Sequence, residues 1–269
     1  MNNRRRAIAG LLAASLLILG AAACGSDGNG SSPTGSETTS APASVDPKQA
    51  LLDSTEEIGK GNFKFTMAGD GMTGRGVVHL PSRSAQMSLA VGSDGFEMKM
   101  DMIYVEPDSW VRLDFGELGD QVPSMAKLSG KYMHLDQSKI KDIKNLKVDF
   151  QDVDPAGSAL LMKAIADVQK TGEGVYSGTI DLTKATGADM IGEDLVKTLG
   201  TQANALPFEA KLDPQGRLSE LTIKVPTAGE SQAYDLKITY SDYGAATAAQ
   251  KPPASETIEA PAEAYDMFK

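Results

Sequence analysis

Apolar and polar positions alternate through most of the chain between residues 63 and 240. Phe63, Phe65 and Met67 stand at every second position, a spacing that predicts a half-buried strand. Gly69-Asp70-Gly71 turns the chain into a second strand at 77–80. Ala85, Met87, Leu89 and Val91 alternate again, and Ser93-Asp94-Gly95 makes a hairpin turn. Phe96, Met98, Met100, Met102 and Tyr104 then share one face, with Glu97, Lys99 and Asp101 on the other. Glu106-Pro107-Asp108 leads into 110–115, and 131–135 reads as a further strand. Tyr176, Ile180 and Leu182 resume the alternation. The cleanest pattern comes last. Leu206, Phe208, Ala210 and Leu212 precede the turn Asp213-Pro214-Gln215-Gly216, then Leu221, Ile223 and Val225, then Tyr234, Leu236, Ile238 and Tyr240.

Helical spacing interrupts this series. Asp46 is placed to cap a helix with Pro47 at its first position; Leu51, Thr55 and Ile58 form its apolar face, and Gly59 and Gly61 stop it. Residues 123–128 predict a short helix, and Ile140, Ile143 and Leu146 a helix over 139–146. Asp154-Pro155 repeats the cap-and-proline signal, with Leu161, Ala164, Ile165 and Val168 as the apolar face that follows. Asp189 is placed to cap a helix carrying Ile191, Leu195, Val196 and Leu199, ended by Gly200. About ten strands and four or five helices, with the helices interrupting rather than alternating with the strands, predict an α+β fold. Its expected form is a curved antiparallel β-sheet with helices gathered on one face. Residues 245–269, rich in Ala and Pro, predict an extended C-terminal tail.

The N-terminus changes the picture. Arg4, Arg5 and Arg6 precede an apolar run over 7–19, then small residues, then Cys24. A basic region, a short apolar region and a small-residue site make a secretory signal. The run is shorter than the roughly 20 residues a spanning helix needs. Cys24 after Ala21-Ala22-Ala23 resembles a bacterial lipobox, although Leu is usual where Ala21 stands. In such signals the cysteine is diacylated and becomes the first residue. The other reading is an ordinary secretory signal with a chance cysteine. Residues 1–23 are therefore expected to be a signal peptide. Residues 24–45, with Val45 as their only large aliphatic, are expected to be a lipidated flexible tether. The anchor would sit at the cell membrane, on its extracytoplasmic face.

Cys24 is the only cysteine among 269 residues, so the fold holds no disulfide. The formal net charge is −10, and removal of the N-terminal arginines makes it more negative. Such a field argues against nucleic acid as a partner. The two histidines, His79 and His134, have no Cys or His neighbours at metal-ligand spacing and read as polar-face strand residues. There is no Gly-x-Ser-x-Gly, His-Glu-x-x-His or phosphate-binding glycine loop. Glu56/Glu57 and Asp152/Asp154 lie near helix starts, where carboxylates favour the dipole, and Ser158 lies at a helix start where Ser is common. The expectation is no enzyme, no catalytic residue, no metal and no cofactor.

Phe208-Glu209-Ala210-Lys211-Leu212-Asp213, Gly216-Arg217-Leu218 and Tyr240-Ser241-Asp242-Tyr243-Gly244 follow the lipobox, tether, Asp-Pro helix and meander. In that order the chain resembles the LppX/LprG-type lipoproteins of actinobacteria, which share a fold with the LolA/LolB lipoprotein carriers. The resemblance covers roughly residues 47–244, within an expected lipid-binding domain at 46–244. It implies a half-barrel with helices on its concave side, a gap that holds acylated lipids, and transport of lipids or lipoglycans across the cell envelope. It brings no catalytic residue. The partners it implies are those cargo lipids, the membrane itself through Cys24, and a membrane transporter. Tyr132 stands where many relatives have a second Trp, and is expected to re-shape the cavity. An envelope protein-interaction or stress-sensing module on the same fold is the alternative.

Two candidate sites follow. Phe96, Met98, Met100, Met102 and Tyr104 form a stripe that reads either as a closed sheet core or as a ligand cavity lined by adaptable thioethers. Lys127, Lys131, Lys139, Lys141, Lys144 and Lys147 cluster within an acidic chain. They read either as a solvated helix face or, for Lys139, Lys141, Lys144 and Lys147, as a membrane contact at the cavity mouth.

Overall fold

A computed structural model describes residues 45–268 other than 94, 95, 118, 120–127, 129, 141, 142, 144–149, 152, 186–192 and 230. These belong to one compact unit, Ser44–Lys269. Cys24 and the tether lie outside the described residues.

The alternating segments form one sheet because each has one apolar face to bury. In β1 (Asn62–Gly69), Phe63, Phe65 and Met67 are buried while Lys64 and Thr66 are exposed. Next come β2 (Met72–His79), β3 (Ser84–Ser93), β4 (Phe96–Val105), β5 (Asp108–Asp114) and β6 (Tyr132–Leu135). The second half brings β7 (Ile165–Gly172), β8 (Val175–Ile180), β9 (Leu206–Leu212), β10 (Leu218–Val225), β11 (Tyr234–Ser241) and β12 (Thr257–Glu259). The sheet order is β12-β6-β5-β4-β3-β2-β1-β11-β10-β9-β8-β7. Every pairing is antiparallel except β12 with β6. The fold is therefore α+β, built on a large, mostly antiparallel sheet that does not close on itself. The described residues form twelve strands, against about ten expected.

Helices are few and short among the described residues. Helix α1 (Pro47–Asp53) starts as expected, with the Gln49 N–H donating to the Asp46 carboxylate at 3.0 Å. The chain breaks at Ser54 and Thr55 before α2 (Glu56–Gly59), since both hydroxyls donate back to the carbonyls of Leu51 and Leu52. The others are α3 (Gln137–Ile140), α4 (Ser158–Lys163), α5 (Glu193–Leu199) and α6 (Ala262–Asp266). The helix expected at 123–128 and the continuation of α3 beyond Ile140 fall largely outside the described residues, as does Asp189.

Two expectations are corrected. Leu161, Ala164, Ile165 and Val168 do not share a helix, because α4 ends at Lys163 and Ile165 begins β7. Nor do Asp154 and Pro155 start that helix: its N-cap is Gly157, although the Asp154 carboxylate still accepts from the Ala159 N–H at 2.8 Å. Its other oxygen accepts from the Tyr240 hydroxyl at 3.0 Å, which also bonds Ser158 at 2.8 Å. Burial, with the Asp154 charge beside it, pushes the Tyr240 phenol well above its ordinary value.

Residues 245–268 do more than trail. The Ala249 N–H donates to buried Ser84 and Lys251 pairs with Asp108 at 2.8 Å. Residues 257–259 add β12 beside β6, and Ala264 and Tyr265 are buried against β5 and β6 residues.

Charges line the outer face. Glu220 on β10 accepts from Lys211 on β9 at 2.8 Å and pairs with Lys237 on β11 at 2.7 Å. The Lys211 hydrogen bond, then that of Lys237, holds its carboxyl below the usual range. A depressed carboxyl stabilises the fold above its unfolded pKa and loses that contribution as pH falls through its folded value. Glu220→Gln should therefore be less stable than the parent at neutral pH, by under about 1 kcal/mol for so accessible a cluster. The difference should vanish in acid. Thermal unfolding of both proteins from pH 7 down to pH 3 checks this.

Candidate functional site

Four cross-strand rows define the apolar face over β2, β3 and β4. They are Val78–Ala85–Tyr104, Gly76–Met87–Met102, Gly74–Leu89–Met100 and Met72–Val91–Met98. β5 continues three of them with Ser109, Val111 and Leu113. The stripe thus lies on one face, as its spacing predicted. Phe96 opens β4, but its side chain is outside the described set.

Two buried clusters flank this strip. On one side Phe63, Phe65, Met67, Leu221, Ile223, Ile238 and Tyr240 pack with Leu51, Ile58, Leu161 and Met162 of the helices. On the other, Val111, Leu113, Met133 and Leu135 pack with Ile140, Ile143, Ala264 and Tyr265. Between them Met72, Met87, Leu89, Met98, Met100 and Tyr104 are only half-buried, and Val91 is 40 % exposed. Met102 and Val78 are the exceptions, each at 5 %. The centre of a sheet is ordinarily its driest part, so an apolar strip that is wetter than both flanks is the unusual feature of the fold.

Two glycines shape the strip. A Cβ on Gly74 would lie 2.5 Å from Met67 Cγ and 2.8 Å from Leu89 Cδ2. A Cβ on Gly76 would lie 2.5 Å from both the Gln86 carbonyl oxygen and Phe65 Cζ. Without side chains there, Phe65, Met67 and Leu89 lie low over β2, and the floor stays shallow. The sequence carried this signal in alternate glycines between Met72 and Val78.

The ends of the strip differ. At one end the Tyr104 ring packs on Phe150 with centroids 5.2 Å apart, and the Arg83 guanidinium, paired with Glu106, lies 5.4 Å over Phe150. Burial, with Glu106 nearby, raises the Tyr104 phenol above its ordinary value. At the other end stands the row holding exposed Val91.

A cleft of about 810 Å³ lies elsewhere, at the ends of β9, β10 and β11 beneath the turn Gly200–Asn204. Leu206, Val225 and Pro226 are among its apolar walls, and Gln202, Lys224 and Tyr234 among its polar ones. Tyr234 Cε2 comes within 3.4 Å of the position a Gly69 Cβ would take, so this ring links the cleft to the β1–β2 turn. Its residues come from three separate strands, and no stretch of sequence announces them.

The other candidates are placed as follows. Lys139 is exposed, with its ammonium 4.9 Å from the Tyr265 ring centre; Lys141, Lys144 and Lys147 lie outside the described residues. Tyr132 does not face the strip, which corrects its expected role. It sits on the opposite face with Ile103 and Trp110, under the Arg112 guanidinium at 4.4 Å. His79 bonds Ser82 at 2.6 Å, and His134 lies between Asp108 and Glu259, each at 3.2 Å. Among the described residues no group of His, Cys, Asp or Glu is arranged to hold a metal.

No protein-family model and no curated protein matches this chain. No helix among the described residues is long and apolar enough to cross a membrane.

Proposed function

We propose that this chain is a membrane-anchored lipoprotein that binds acylated lipids over its apolar strip and carries them across the cell envelope. The domain would be a curved half-barrel with its helices on the concave side, and it would work by binding rather than by catalysis. The observation that carries the reading is the half-buried strip of methionine, leucine and valine between two dry clusters. Burying an acyl chain there gains about 0.8 kcal/mol per methylene. A bilayer offers a similar gain, so loading and unloading stand near balance, as a carrier requires. Met87, Met98 and Met100 suit chains of varied shape, because the thioether is polarisable and unbranched.

The test is to purify the chain without detergent from a host that lipidates it, and to analyse an organic extract by mass spectrometry. Bound lipid in a fixed ratio to protein is expected; clean protein counts against the reading. Met100→Trp sharpens it. Tryptophan there should occupy the space of the cargo, so lipid retention should fall while the delipidated protein keeps near-parental stability. In a closed core the same insertion would overpack and cost about 1–3 kcal/mol. Both proteins must be compared without lipid, since a ligand raises apparent stability by itself.

A further inference from the structure

The strip has a direction, and the direction says how a lipid would lie in it. We infer that the cargo is a two-chain amphiphile held with its chain termini at the Tyr104–Phe150 end and its headgroup at the Met72–Val91–Met98 end, beside the Tyr234 ring. This rests on the lipid-binding reading above.

Length and width set the chemical class. From the Met98 row to the Tyr104 row is six residues of β4, about 20 Å at the usual strand rise. A chain spanning one leaflet is about 15 Å long, half of a bilayer's hydrocarbon core. One such chain fits lengthwise with its terminus short of the closed end. From β2 to β4 the strip is about 10 Å wide at ordinary strand spacing. Methylene chains in contact, carbon to carbon at about 4 Å, then lie two abreast.

Exposure sets the orientation. At the Tyr104 end the Tyr104 ring is backed by buried Phe150, and Phe150 in turn by Arg83, whose charge is neutralised by Glu106. A headgroup leaving there would displace a packed ring. At the other end Val91 is open to water and Met72 and Met98 flank it in register. Gly69 pairs with Met72, and the Tyr234 ring lies against Gly69, so the wall of the cleft begins beside this row. Tyr234 contributes to that wall from the strip's side of the sheet, whereas Lys224, in register with Asp235 and alternating with buried Ile223 and Val225, stands on the outer face. A headgroup emerging over Val91 therefore meets open solvent beside Tyr234, while one emerging over Tyr104 would have to displace Phe150 from its packing between Tyr104 and the Arg83–Glu106 pair.

The experiment uses the sole tryptophan, Trp110, which lies on the other face of the sheet. In a Trp110→Phe background, Val91→Trp and Tyr104→Trp each place one fluorophore at one end. Each protein is loaded with a dipalmitoyl phosphatidylcholine bearing a nitroxide on the headgroup, or with one bearing it near a chain terminus. The headgroup nitroxide should quench the Val91→Trp protein several-fold more than the Tyr104→Trp protein, and the chain-end nitroxide should reverse the order. Equal quenching at both ends, or the opposite order, overturns the inference while leaving lipid binding intact. If Val91→Trp itself blocks loading, Met72→Trp replaces it in the same row. If the Trp110→Phe parent binds neither lipid, the functional reading fails and the orientation falls with it.

Discussion

Gly178→Ala is expected to destabilise the folded domain by about 1–3 kcal/mol and to loosen β7 from the sheet. The cause is steric. A Cβ on Gly178 would overlap the Asp167 carbonyl oxygen and stand 2.8 Å from both the Asp167 carbonyl carbon and Val168 Cα. All of these are backbone atoms of the neighbouring strand, so no change of rotamer relieves the clash. The β7–β8 register shifts between Ile165 and Asp167, and this irregularity brings the β7 backbone over Gly178. Denaturant unfolding reads the loss, and hydrogen exchange should place it in residues 165–172. Gly59→Ala is the control, since nothing lies within 4 Å of its Cβ position. Equal stability of the Gly178→Ala protein and the parent would show that β7 can move aside freely.

Cys24→Ala should shift the protein from the membrane pellet to the soluble fraction. Two acyl chains hold a protein stably, where one holds it only marginally. No described helix offers a second hold. The acidic composition adds no electrostatic attraction to an anionic surface. The loss should therefore be close to complete rather than partial. A variant that still pellets after a salt wash would sink the lipobox reading, and with it the expected location.

Much of the sheet could be read from spacing alone, because each strand buries one face and period two survives in the sequence. Phe208, Ala210, Leu221, Ile223, Leu236 and Ile238 are all buried as the alternation requires. The failure at β7 has a physical source. The bulge inserts a residue between Ile165 and Val168, so two residues on one face stand three apart and imitate a helix. β12 escaped notice for a different reason. Three residues are too few to show a period, and their pairing partner lies over a hundred positions upstream. The methionine stripe was readable as a face, but its partial exposure was not. That depends on where two clusters stop, and Ile140, Ala264 and Leu161 come from distant segments. Tyr132 shows the same limit, since which face a strand residue takes follows from register with Arg112.

The strand order has a kinetic consequence. β1 to β6 lie beside their sequence neighbours, and so do β7 to β11, while β1 and β11 meet at a seam where Lys64 opposes Ser241. Each half can zip up hairpin by hairpin, but the seam must wait for nearly the whole chain. Contacts so far apart in sequence slow folding. A chain is synthesised N-terminus first, so the free edge of β1 would stand open until β11 arrives. That interval is when a folding helper would matter most, and β1 is the strand it would need to shield.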